Sequence, residues 1–283
     1  MNKVLGGVQA IAIWARDNGI IPDDRPWADP FSNMRLDEEE PNREPWQLEE
    51  LRILFSSSVF TQRLRPTAGR GEAAYWLPLL ALFTGARLGE LAPLTVADIA
   101  TDEPTGISTI RVTEDLEQGR RLKNVGSRRV VPVHPELVRL GFMPFVAQVR
   151  DGSGSEARLF PLLTPGPKGG LGEAWSKWFG RYIRGLGITN RASVFHSFRH
   201  SFKDALRAAG VSEDVNDALT GHSGGGVGRT YGAKEMVRRF GLSVLAQAVA
   251  KVAYPGLDLS DLHNAGQEHQ QETSDDSVVS SAG

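Results

Sequence analysis

The stretch "VFHSFRHSFKDALRAAG", residues 194–210, carries an apolar repeat and a cluster of cations on the same short segment. Phe198, Phe202, Ala205, Leu206 and Ala209 recur at spacings of three and four, which predicts an amphipathic helix. At about 100° per residue these positions gather on one face. The reading assigns His196, Arg199, His200, Lys203 and Arg207 to the opposite face, and Gly210 ends the run as a C-terminal cap would. Two histidines and three cations together make a poor salt-bridge surface and a good surface for phosphate.

Downstream, "SEDVNDALTGHSGGGVGRTYG" predicts a further helix capped by Gly221, then His222, a glycine-rich loop and Tyr231. The loop contains G-x-x-x-x-G, but Val227 and Gly228 stand where a phosphate-binding P-loop has Lys and Ser/Thr, so a nucleotide site is rejected. The glycines tether Tyr231, although a tyrosine after a loop is by itself an ordinary packing residue. A last helix is expected across 233–253.

Upstream, "AAYWLPLLALF" predicts a buried helix with Pro78 kinking it or sitting in its first turn. It runs into "TGARLGEL", where Arg87 follows a glycine turn and Glu90 lies three residues on. That spacing suits a surface pair, yet the flanking leucines predict that Arg87 is partly buried and needs an anionic partner. Two β-like stretches follow, "ISTIRVT" and "RRVVPVH", with Lys123 near the hairpin end between them; a lysine there is, taken alone, a solubilising residue. In the second stretch Arg129, Val131 and Val133 alternate with Val130 and Pro132, which fits a strand near a sheet edge. A helix from Pro135 into "FMPFVAQVR" and another at "EAWSKWFGRYIRGLG" complete the order. The class is mainly α with a small antiparallel β-sheet (α+β).

Charge supports a polyanionic partner. The 283 residues sum to −2, but 1–44 hold 5 basic and 9 acidic residues, and 256–283 hold 6 acids with no Lys or Arg. The body between them has 27 bases against 19 acids, a net of +8, which suits nucleic acid. With no cysteine, disulfides and thiolate metal sites are excluded. No run is apolar enough to span a membrane, and the N-terminal stretch reads as a helix rather than a signal peptide, so a soluble cytoplasmic protein is expected.

In order along the chain, TGARLGEL, a hairpin lysine, H-S-F-R, L-T-G-H and a tyrosine nine residues after that histidine resemble the tyrosine recombinase (phage integrase) family. The resemblance covers roughly 45–255. It implies a catalytic set of Arg87, Lys123, His196, Arg199, His222 and Tyr231, with Glu90 supporting Arg87. It implies breakage and rejoining of double-stranded DNA at a specific site through a 3′-phosphotyrosyl link, with no metal, no ATP and no other cofactor. Self-assembly as a tetramer on DNA is part of the same implication. His200, Lys203 and Arg207 match no catalytic position of the family and are read as DNA contacts or solvated charges. Residues 1–44 read as the last helix of the family's N-terminal helical domain plus linker, and 256–283 as an acidic disordered tail. Two other readings are a type IB topoisomerase-like enzyme and an inactive DNA-binding remnant of a mobile element.

Overall fold

A computed structural model describes residues 2–21, 28–32, 34, 44–113, 128–167, 169–221 and 233–262. The chain divides into two compact units, Met1–Asn42 and Arg43–Gly283. The first contains helix α1 (Asn2–Asp17). Among the described residues no helix is long and apolar enough to cross a membrane.

The second unit is organised around α4 (Ala73–Thr84), all twelve of whose residues are buried. A helix apolar on every side has no solvent face to offer, and the rest of the unit wraps it. Pro78 lies inside this helix, past its first turn. Ahead of it come α2 (Leu48–Phe55) and the short α3 (Ser58–Thr61). After it a single turn, α5 (Leu88–Leu91), leads to the sheet.

The sheet is an antiparallel meander of three strands, β1 (Ile99–Asp102), β2 (Ile107–Val112) and β3 (Arg129–Pro132), in the order β1-β2-β3. The register pairs Ile99 with Ile110 on one side of β2, and Val112 with Arg129 on the other. The last two strands are those expected from the sequence. β1 was not expected, because four residues with only Ile99 fully buried are too few to show an alternation. Pro132 closes β3, which among the described residues pairs only with β2, so its missing N–H interrupts no central ladder.

Helices α6 (Pro135–Arg139) and α7 (Phe142–Ser153) replace the single helix expected from Pro135; Gly141 at φ +88° separates them. Next are α8 (Glu173–Gly185), α9 (Ser197–Ala208) and α10 (Glu213–Thr220). The expected last helix is likewise two, α11 (Ala233–Phe240) and α12 (Leu242–Ala250), divided by Gly241 at φ +78°. The apolar pattern runs through both glycines, which is why the sequence hid the breaks.

The packing does not stop at Gly256, where the acidic tail was expected to begin. Arg52 donates to the Gly256 carbonyl at 3.1 Å, and Leu259 and Leu262 are buried in the common core. The folded unit therefore extends to Leu262, and 263–283 lie outside the described residues.

Helix α9 crosses the end of α4. Phe198 and Phe202 are fully buried, Trp46 stacks on Phe198 at 4.9 Å, and Ser201 accepts the Trp46 backbone N–H at 2.9 Å. A Cβ at Gly85 would lie 2.5 Å from Cδ1 of Phe202. Only glycine permits this approach, and it is the approach that brings Arg199 to the end of α4.

Candidate active site

The site begins where α4 stops. Thr84 donates its hydroxyl to the Leu80 carbonyl and accepts the Ala86 N–H at 3.2 Å, which fixes the chain as it leaves the helix. Gly85, at φ +62°, is the left-handed cap. Its carbonyl accepts Nη1 of Arg199 at 2.9 Å.

Two residues on, Arg87 is the N-cap of α5, and Glu90 is the third residue of that turn. The Glu90 carboxylate accepts the Arg87 backbone N–H at 2.7 Å through Oε2 and Arg87 Nη1 at 2.7 Å through Oε1. It caps the turn and holds the guanidinium at once. Arg87 remains 26% exposed, so its other nitrogens can face outward. Partial burial with an anionic partner is what the sequence predicted for it.

A third arginine completes the cluster, and the sequence reading did not single it out. Arg129, at the start of β3, is 1% exposed. Its Nη2 donates to Glu90 Oε2 at 2.8 Å and its Nε to the Leu219 carbonyl at 2.7 Å. The signal was in the strand parity: Arg129 shares a face with Val131 and Val133, both buried, so an inward-pointing arginine was legible there.

Glu90 feels opposing influences. Burial pushes its pKa up, but the charge and hydrogen bond of Arg129 and the bonds and charge of Arg87 prevail, holding it down at about 2. It is a carboxylate at any working pH.

Arg199 has no such partner. It is 5% exposed, and its Nη2 is buried with no hydrogen-bond acceptor among the described residues. Burial first, then the charges of Arg87 and Arg129, pull its pKa down to about 9. Glu90 thus accepts from two of the three guanidiniums, and among the described residues a buried N–H of the third is left over. An unpaired buried donor of this kind costs about 1–3 kcal/mol, more when charged, and an anion would remove the cost.

His196 sits at the N-cap position of α9, half-buried, its ring edge-on to that of His200 at 5.4 Å between centroids. The other cations of this helix have acidic partners. Lys203 pairs with Asp217 of α10 at 3.2 Å, and Arg207 with Asp204 and Glu213 at 2.8 and 2.5 Å. These cations are ion-paired within the protein, by Asp204 of α9 itself and by Glu213 and Asp217 of α10 beside it. Arg199 itself lies on the packed side, at the margin of the apolar arc. Lys123, His222 and Tyr231 lie outside the described residues.

Two structures of the Tn1549 transposon integrase bound to circular intermediate DNA superpose on this chain. One has a TM-score of 0.53 at 17% identity, covering 95% of this chain and 78% of that one. The other has 0.51 at 18%, covering 95% and 79%. The fold is that of a tyrosine recombinase. The integrase of mycobacterium phage Brujita aligns at a TM-score of 0.49 and 18% identity, over 92% of this chain and 74% of its own. No protein-family model and no curated protein matches the chain. In this tyrosine recombinase fold the described part of the candidate site is Arg87, Glu90, Arg129, His196 and Arg199, drawn from α5, β3 and α9.

Proposed function

We propose that this chain is a site-specific DNA recombinase or integrase that acts through a 3′-phosphotyrosyl intermediate. The observation that carries the reading is Arg199: a buried guanidinium beside Arg87 whose Nη2 has no acceptor among the described residues. A phosphodiester is an anion of the right size and valence to pair with it.

In this reading Arg87 and Arg199 donate to the non-bridging oxygens of the scissile phosphate, where charge builds up in the transition state. Glu90 holds Arg87 in position. The Tyr231 hydroxyl attacks phosphorus, its proton passing to His196 or to the phosphate, and the bond from phosphorus to the 5′-oxygen breaks. Lys123 gives that oxygen a proton, so a free 5′-hydroxyl leaves. His222 supplies a further donor to the phosphate. Attack of a 5′-hydroxyl from the partner strand reverses the steps and reseals DNA, with bond energy conserved in the tyrosyl ester. Four copies assembled on two cytoplasmic DNA sites would complete an exchange.

The test is a nicked duplex whose cleaved end diffuses away and traps the adduct. The chain should form a covalent protein–DNA complex, and Tyr231→Phe should form none while binding DNA as before. An adduct of undiminished yield in that variant would refute the assignment. Relaxation of supercoils without exchange between two sites would move the reading to a type IB topoisomerase.

A further inference from the structure

Arg129 has no part in the chemistry above, yet it is among the most deeply buried side chains of the protein. A guanidinium in the core is a poor way to gain stability. Its desolvation offsets most of the attraction to a carboxylate, and apolar residues of similar volume commonly serve as well or better. What it provides is geometry. The guanidinium is planar and rigid, so the donors at Nε and Nη2 keep a fixed angle.

Those two donors reach different parts of the site. Nη2 meets Glu90 Oε2, the oxygen that also takes the Arg87 backbone N–H. Among the described residues, this is the one bond to the Glu90 carboxylate that comes from outside α5 and its cap. Nε meets the Leu219 carbonyl in the last turn of α10, where a cation also complements the helix dipole. Leu219 is three residues before His222 in the chain, and Arg129 follows the segment that contains Lys123.

We propose that Arg129 is a positioning residue for strand cleavage: it sets the aim of Arg87 through Glu90 and pins the end of α10 ahead of His222. The inference rests on the recombinase reading. Lysine retains the charge but not the fork, so Arg129→Lys separates geometry from electrostatics.

The test compares two nicked duplexes in single-turnover adduct formation by the full chain. One has an ordinary scissile phosphate; the other has a methylphosphonate there, which lacks one charged non-bridging oxygen and relaxes the demand on Arg87. Arg129→Lys should cleave the phosphodiester about 10²-fold more slowly than the parent chain, the scale of a misplacement near 1 Å. Its deficit should be much smaller on the methylphosphonate, as should that of Arg87→Ala, whereas Lys123→Ala should show no such relief. DNA affinity should be unchanged, since Arg129 is shielded from any ligand. The two rates come from one preparation, so the folded fraction cancels from their ratio. If Arg129→Lys does not fold, Glu90→Gln should give the same relief by releasing Arg87 from the other side. Equal deficits on both substrates, or none on either, would overturn the inference while an adduct from the parent chain left the recombinase reading standing. A parent chain that forms no adduct on either DNA would overturn both.

Discussion

Replacing Arg199 with methionine should make the free protein more stable and less active at once. The folded chain holds this guanidinium 5% exposed with its pKa at about 9, more than three decades below the ordinary arginine value. At about 1.4 kcal/mol per decade, keeping the charge in the fold costs on the order of 5 kcal/mol. Methionine removes that cost, but it leaves the Gly85 carbonyl without its donor, a loss of about 1–3 kcal/mol. The net expectation is a gain of about 2 kcal/mol, or about 4–8 °C in the melting temperature of a domain this size. Thermal unfolding at pH 7 in a buffer free of phosphate and sulfate reads it directly. Adding sulfate should raise the melting temperature of the parent chain more than that of Arg199→Met and so narrow the gap between them. Up to about pH 9 folded and unfolded chains both keep the proton, so the gap is constant; above it the folded chain sheds charge first and the gap narrows. Cleavage by the variant should fall by at least ~10²-fold, the scale of losing one transition-state donor. A variant that melts several degrees below the parent chain in anion-free buffer would refute the reasoning, for it would mean that Arg199 is already compensated.

Glu90 gives the opposite pH dependence. Its carboxyl is held at about 2, so its stabilisation, on the order of 3 kcal/mol, is complete above pH 4.5 and lost as pH falls toward 2. Glu90→Gln should flatten that acid limb in urea titrations run from pH 6 to pH 2.5, and an unchanged limb would show that other carboxylates carry it. Gly85→Ala forces a Cβ to within 2.5 Å of the Phe202 ring at φ +62° and should cost at least ~2 kcal/mol, measured by denaturant midpoint. A chain ending at Gly256 loses two buried leucines that a chain ending at Leu262 keeps, and should be less stable than it by roughly 3 kcal/mol or more. Equal melting of the two truncations would mean that 257–262 contribute nothing to the core.

Much of this architecture could be read from local pattern, because α8, α9 and α10 each bury a face that repeats within a few residues and α4 is one continuous apolar run. The site was legible only in part. Arg87 and Glu90 are three residues apart on one turn, so their pairing is local information. The environment of Arg129 is not, since its partners Glu90 and Leu219 lie 39 and 90 positions away. The partners of the α9 cations are only partly local. Arg207 has Asp204 three residues before it, but Glu213 and the Lys203 partner Asp217 come from α10, and Arg199 lies near enough to the apolar arc for packing to claim it. Strand β1 failed on length alone.

The bonds that converge on the end of α4 have a consequence for the newborn chain. Arg199 reaches Gly85 across 114 residues and Arg129 reaches Leu219 across 90. Contacts of such sequence separation form only as the domain condenses, after the loops between them have been closed. A nascent or half-folded chain, with α4 and α5 made but α9 still on the ribosome, carries arginines and no assembled cluster. Whatever the cluster does to a polyanion, it acquires that ability in one step with the completed fold, and misfolded copies do not share it.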